Sequence, residues 1–298
     1  MKIAVMGAGA VGCFFGALLA KAGHEVVLIG RPAHVEAVRA GGLKLEWVDA
    51  EEIIVLGAST EAQAVAGARL VLVCVKSGDT EEAGRLMAPH LAPGAVLVSL
   101  QNGVGNAQRL GALLGRHVIP AAVYVAADMA GPGHVRHRGR GELVIGAGEG
   151  AEALAALLRG AGIPTELSAE VESVLWTKLV LNCAYNALSA ITLQPYGVLV
   201  AADGAERLIR NILAECEAVA AACGIHLPEG QAERVLAAAH AMAEQISSTA
   251  QDMIRGRPTE IEYLNGHIVR LGQTHGVPTP LNQALTTIVK ILEARPRV

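Results

Sequence analysis

The sequence predicts an α/β N-terminal domain on a mostly parallel sheet, followed by a C-terminal all-helical domain. Three observations predict it. Up to about Ser168, short apolar runs rich in Val, Ile and Leu alternate with helical patterns, the rhythm of βαβ units. A glycine-rich turn, GAGAVG, falls where the first apolar run gives way to the first helical pattern. Beyond Ser168 the strand signal stops, and Ala- and Leu-rich helical patterns run to residue 298. The expected domains are therefore 1–168 and 169–298, a division that suits a chain of this length.

The elements can be justified in chain order. KIAVMG reads as a buried strand, VGCFFGALLAKAG as a helix closed by Gly23, and EVVLIG as a β-branched second strand. GGLKLEWVDAEEIIVL carries two alternating runs about an acidic turn and predicts a small hairpin. Strand ARLVLVCVK, helix DTEEAGRLMAPHL, strand GAVLVSLQNG, helix NAQRLGALLG and strand HVIPAAVYVA come next. The stretch Gly131 to Gly148 predicts an antiparallel hairpin appended to the sheet, and AEALAALLRG and IPTEL predict a helix and a short strand.

Composition excludes several functions. Aromatic residues are only 3% against 52% hydrophobic, so the core must be aliphatic. A net charge of -4 supplies no field for a phosphate backbone, and nucleic acid is not an expected partner. The first thirty residues resemble a signal peptide only until Gly7, Gly9, Gly12, Gly16, Lys21, His24 and Glu25 are noticed, which punctuate a strand, helix and strand. With no other run of 18 apolar residues, no membrane partner is expected. Five cysteines, odd in number and without C-x-x-C, suit reduced thiols in a cytoplasmic protein. His134 and His137 lack ligand-spaced carboxylates or thiols, so they predict a solvated hairpin and no metal site.

Gly7, Gly9 and Gly12 form G-x-G-x-x-G between strand and helix. In that context the first glycine makes the turn, the second admits a pyrophosphate to the backbone, and the third lets helix and strand pack closely, as in a Rossmann-type dinucleotide site. An NAD enzyme places an acidic residue at the end of the second strand; this chain has Gly30 and Arg31. Arginine there suits the extra phosphate of NADP, the alternative being a solvated loop arginine before Pro32. Lys76 adds charge at the same sheet edge or is a simple strand-end lysine. Asn102 either contacts the cofactor or belongs to an ordinary Asn-Gly turn.

In the second half, Lys178, Asn182 and Asn186 recur every four residues and share one helical face. Such a stripe either faces water or lines a polar site, and asparagine, a poor helix former, favours the site. A second segment carries Ser247, Ser248, Asp252, Glu260, Glu262 and Asn265. Here ISSTAQDM is expected to end a helix, and a new helix to begin at Thr259 after RGRP, with Glu260 in its first turn. A plain N-cap with acidic company explains that start, though not the double serine. Chemistry gives a reason to join the two segments, because hydride attack on a ketone needs a proton donor or cation at the oxygen, and Lys178 can supply both. Glu260 would orient the lysine or the substrate, while Asn182, Asn186 and Ser248 bind its oxygens.

The chain resembles the ketopantoate reductase (2-dehydropantoate 2-reductase) family along essentially its full length. The resemblance rests on GAGAVG, Arg31, VKSGDT, QNGVG, KLVLNCAYNAL, SSTAQD and GRPTEIEYLNG. It implies NADPH-driven reduction of ketopantoate to pantoate, in the branch that leads to pantothenate. It also implies Lys178 as general acid, Glu260 as the essential carboxylate, and Asn182, Asn186 and Ser248 as substrate ligands. Arg31 and Lys76 would contact the adenosine phosphate, and Asn102 would lie between cofactor and substrate. ITLQPYG lacks an asparagine or glycine that many members carry, Gln245 stands where some have asparagine, and YVAAD lacks a frequent histidine. These departures put the substrate in question rather than the reaction. Alternatives are a reductase of another branched 2-oxo acid, a dehydrogenase of a 3-hydroxy acid or an opine, and a non-catalytic NADP-binding sensor. The apolar helix AERLIRNILAECEAVAAACGI is expected to bury itself either against the lysine helix or against a second subunit, which leaves room for a homodimer.

Overall fold

The structure is a computed structural model that describes residues 1–295. The chain divides into two compact units, Met1–Val171 and a second from Glu172 onward.

The first unit carries strands β1 (Lys2–Met6), β2 (Glu25–Ile29), β3 (Leu43–Glu46), β4 (Glu51–Ile54), β5 (Gly57–Ser59), β6 (Leu70–Val73), β7 (Val96–Ser99), β8 (Ile119–Gly131), β9 (His134–Gly146) and β10 (Thr165–Ser168). Its helices are α1 (Ala10–Lys21), α2 (Pro32–Gly41), α3 (Thr80–Met87), α4 (Asn106–Leu114) and α5 (Ala151–Gly160). The strands form a mixed sheet in the order β4-β3-β9-β8-β7-β6-β1-β2-β5, with β10 also on β9. From β5 to β8 every pairing is parallel.

Why the strands read as continuous apolar runs is explained by the two faces. Side chains alternate along a strand, and helices cover both sides of a parallel sheet, so nearly all of β1, β6 and β7 is buried. Ile3, Val5, Leu70, Leu72 and Val98 pack with Phe14, Phe15 and Ala17 of α1. Ala4, Met6, Val71, Val73 and Leu97 pack instead with Met87 of α3 and Leu110 of α4. The few aromatics gather where Phe14 stacks on His137, with ring centroids 4.6 Å apart, and Trp47 meets both edge-on.

Two expectations need correction. The antiparallel hairpin is not confined to Gly131–Gly148, because β8 and β9 are each thirteen residues long and pair along their length around Pro132 and Gly133. Its histidines are not simply solvated either: His134 Nε2 lies 2.7 Å from Glu46 Oε2, and His137 is in the aromatic stack. Helix α2 and strand β5 are additions that the apolar pattern does not signal.

The second unit is helical: α6 (Val171–Thr192), α7 (Tyr196–Ala201), α8 (Ala205–Ala222), α9 (Gln231–Ala241), α10 (Ser248–Arg255), α11 (Asn265–His275) and α12 (Pro280–Glu293). Helix α8 buries Ile209, Ile212, Leu213, Cys216 and Val219 within this unit. Its Glu215 carboxylate accepts the Leu281 and Asn282 backbone N–H groups at 2.9 and 3.0 Å, satisfying orphan donors at the start of α12. The expected helix start at Thr259 is wrong. Ser248–Arg255 is a helix of its own, Ile261–Tyr263 is a single 3-10 turn, and the long helix begins only at Asn265. RGRP breaks the chain as expected, but Glu260 precedes the 3-10 turn, where its carbonyl accepts the Tyr263 N–H at 2.8 Å. No helix among the described residues is long and apolar enough to cross a membrane.

Candidate functional site

In the first unit, the carboxyl ends of β1, β6 and β7 bring three loops together. The glycines of the first loop do different work. Gly7 has φ +111°, and a Cβ there would sit 2.5 Å from the Val75 backbone nitrogen, so the turn after β1 lies directly against the turn after β6. A Cβ on Gly12 would meet the Gly7 carbonyl oxygen at 2.2 Å and Val5 Cγ1 at 2.8 Å. Gly9, the N-cap of α1, is the exception: a Cβ there meets nothing within 4 Å. Two glycines are thus demanded by the protein's own packing, while the middle one keeps an open face at a helix N-terminus. That is the arrangement a pyrophosphate needs, so these residues fit a dinucleotide.

The Gly7 and Ala8 N–H groups both donate to Ile29 O, at 3.0 and 2.9 Å, fastening the turn to the end of β2. A Cβ on Gly30 would fall 2.6 Å from Ala8 Cβ, so the first position after β2 has no room for an acidic side chain. Arg31 comes next as the exposed N-cap residue of α2, its side chain without a hydrogen bond or ion pair among the described residues. Lys76, half-buried, precedes the short 3-10 turn Ser77–Asp79.

Around Asn102 lies a polar network that the sequence does not reveal. The Asn102 carbonyl accepts Ser77 Oγ at 2.9 Å and Asn106 Nδ2 at 2.7 Å. Buried Gln101 donates to Val75 O and Thr80 Oγ1 and accepts Ser99 Oγ. Arg109 holds Glu81 through two bonds of 2.7 and 2.6 Å and also reaches Ser77 O and Asn106 Oδ1. The Arg109 guanidinium lowers the Glu81 carboxyl pKa. VKSGDT and QNGVGN contain most of these residues; the missing signal is that Ser77, Gln101, Asn106 and Arg109 meet. Nearby, burial pushes the Cys13 and Cys74 thiols far above their usual range, which keeps them protonated.

In the second unit, Lys178, Asn182 and Asn186 lie along α6 as expected from their spacing. Lys178 and Asn182 are half-buried and Asn186 is buried. The double serine resolves into two roles. Ser247 is wholly buried and caps α10, accepting the Ala250 N–H at 3.0 Å. Its hydroxyl donates to Asn186 O and its N–H to Ser189 Oγ, both at 3.2 Å, docking the segment on the lysine helix. Ser248 is exposed, with no hydrogen-bond partner among the described residues. Asn265 Nδ2 donates to Cys183 O at 3.0 Å and to Asn282 Oδ1 at 2.9 Å, pinning the start of α11 to α6. Glu260 is half-buried five residues before that pin. Glu262 is engaged elsewhere, by Lys290 and Arg270, which lower its pKa. Tyr196, whose hydroxyl donates to Asn186 Oδ1 at 3.3 Å, is a site neighbour that spacing does not suggest.

Comparison with known proteins gives a consistent result. A family model described as Ketopantoate reductase PanE/ApbA matches residues 3–150, and its C-terminal companion matches residues 170–293. The 2-dehydropantoate 2-reductase of Pyrobaculum aerophilum is 37% identical over 157 residues, covering 53% of this chain and 56% of that relative, so the match spans about half of each. That of Pyrococcus horikoshii is 32% identical over 99% of this chain and 98% of its own. Among solved structures, a PanE/ApbA family ketopantoate reductase from Ralstonia eutropha superimposes with TM-score 0.96 at 53% identity, covering 98% of both chains. A D-mandelate dehydrogenase, solved with NADH and anilino(oxo)acetate, gives TM-score 0.91 at 27% identity over 98% of both chains.

Proposed function

Since the chain belongs to the ketopantoate reductase family, a family of oxidoreductases, we propose that it reduces a 2-oxo acid with NADPH, ketopantoate being the leading substrate. The observation that carries this reading lies in the helical unit. A lysine and two amides on one helix are joined there by the double-serine segment, which contributes an uncommitted hydroxyl at Ser248. The other unit holds a glycine turn fit for a dinucleotide.

When bound, NADPH supplies a hydride to the carbonyl carbon of the substrate. The protein's part is binding, charge and a proton. Gly9 and the free N–H groups of α1 would take the pyrophosphate, and Arg31 with Lys76 the adenosine phosphate. Arg31 supports NADPH over NADH because a guanidinium fork matches a phosphate, and because Gly30 excludes the carboxylate that would bind the ribose hydroxyls. Asn102, held by its carbonyl, would place its amide beside the nicotinamide end. Lys178 would stabilise negative charge growing on the carbonyl oxygen and deliver the proton to it. Glu260 would hold the lysine or the hydroxyl in place, and Asn182, Asn186 and Ser248 would bind the substrate's oxygens. A cytoplasmic location and a homodimer complete the reading.

The test is NADPH oxidation followed optically with ketopantoate and a panel of other 2-oxo acids, in the wild type and Lys178→Ala. Turnover of ketopantoate that collapses in the variant supports substrate and acid together. Turnover of a different 2-oxo acid alone keeps the chemistry and replaces the substrate. Tight NADPH binding with no turnover of any acid would favour the sensor.

A further inference from the structure

Asn186 ends the polar stripe of α6, yet only 3% of it is exposed. Its amide has two unlike ends, a carbonyl oxygen that accepts and an NH2 that donates, and its orientation is set by its partners. One partner is fixed. The Tyr196 hydroxyl donates to Asn186 Oδ1 at 3.3 Å, and the Tyr196 N–H donates to Gln245 O at 3.0 Å. The Tyr196 ring lies 5.0 Å from that of Tyr185, whose own hydroxyl is anchored on Val235 O at 3.0 Å. Burial raises the pKa of the Tyr196 phenol, so it remains a donor at any working pH. The Asn186 Nδ2 has no protein partner among the described residues, and it is not among their sealed, unpaired buried atoms, so this end opens to solvent. Rotating the amide would let Nδ2 donate to the hydroxyl oxygen but would leave the buried Tyr196 O–H proton with no acceptor among the described residues.

Resting on the 2-oxo acid reading above, we propose that Tyr196 is a positioning residue that locks the Asn186 amide with its nitrogen outward. Position 186 then offers the substrate a donor only, which favours a strong acceptor such as a carboxylate or keto oxygen and cannot take a proton from a hydroxyl.

Tyr196→Phe removes the hydroxyl and keeps the ring, so the fold should survive, as a thermal melt checks. In Tyr196→Phe the KM for the 2-oxo acid should rise about threefold to tenfold, the effect of one hydrogen bond, with kcat within about twofold and NADPH affinity unchanged. In an Asn186→Ala background the same change should add nothing further. An equal KM rise in both backgrounds would overturn the lock, as would no rise at all. A second readout needs no turnover: the Asn186 side-chain NH2 resonance, assigned by its loss in Asn186→Ala, should move in Tyr196→Phe, and a stationary resonance overturns the proposal. If the wild type reduces no 2-oxo acid while the resonance moves, the substrate reading falls and the amide lock stands.

Discussion

The two units build their candidate sites by opposite means. At the sheet edge of the first unit, backbone conformation decides: each glycine sits where adjoining backbone or a neighbouring turn leaves no room for a side chain, or where a helix end is left open. In the helical unit almost nothing is local. Asn186 takes its surroundings from α7 and from the cap of α10, sixty-one residues away at Ser247, while α6 is pinned at Cys183 by Asn265, eighty-two residues away. The first kind of site is robust to changes elsewhere and intolerant of one methyl group. The second tolerates small local changes but depends on distant hydrogen bonds.

The sharpest way to break this comparison is a single methyl. Gly12→Ala places a carbon 2.2 Å from a backbone oxygen that cannot retreat, a cost upward of about 3 kcal/mol, so little folded protein is expected by circular dichroism. Gly9→Ala meets nothing and has φ -85°, so it should fold with near-normal melting while NADPH binding, measured by fluorescence titration, weakens at least about tenfold. Equal melting temperatures for the two variants would show that the third glycine is not a packing residue. Next in size, Lys178→Ala should lower kcat by about 10²- to 10⁴-fold, the usual worth of a general acid, without changing NADPH affinity. A loss under tenfold would remove Lys178 from the chemistry.

The difference also explains what is legible in advance. GAGAVG, the alternation of apolar runs and the i, i+4 spacing of Lys178, Asn182 and Asn186 are local patterns, and the fold class comes from them. The helix start at Thr259 misleads because Thr259 looks like an N-cap, and its hydroxyl does accept the Ile261 N–H at 3.2 Å. That contact leads only into a 3-10 turn whose N-cap is Glu260, since the long helix is set by Asn265 reaching α6. The Gln101 network and the Tyr196 contact stay hidden for the same reason, because each joins residues that only tertiary packing brings together. Strand β5 escapes notice because Gly57–Ser59 has no apolar run at all and is held by its parallel pairing with β2.

Arg31 sharpens the comparison within the first unit, since it is a side-chain determinant on a backbone-built site. Arg31→Ala should weaken NADPH binding about tenfold, the value of one charge-assisted contact, and leave NADH binding nearly unchanged. The ratio of the two dissociation constants is the readout. A parallel loss for both cofactors would assign Arg31 to general attraction and remove the argument for NADPH.

The smallest expected effect measures the weight of one long-range bolt in the first unit, of the kind that dominates the second. His34 is buried, its Nδ1 accepting the Gly133 N–H at 2.9 Å and its Nε2 lying 3.3 Å from Cys13 Sγ, so it ties α2 to the turn between β8 and β9. An accepting Nδ1 carries no proton, and burial lowers the His34 pKa below its ordinary 6.5. The unfolded chain therefore takes up the proton first. The His34 contribution is complete above about pH 6.5 and is lost as pH falls through the lowered folded value. His34→Asn offers an amide oxygen to Gly133 but cannot titrate. Between pH 7 and 5 the wild type should lose more stability than the variant, seen as a larger fall in melting temperature. Parallel melting curves across that range would show that the bolt is not made through a neutral imidazole.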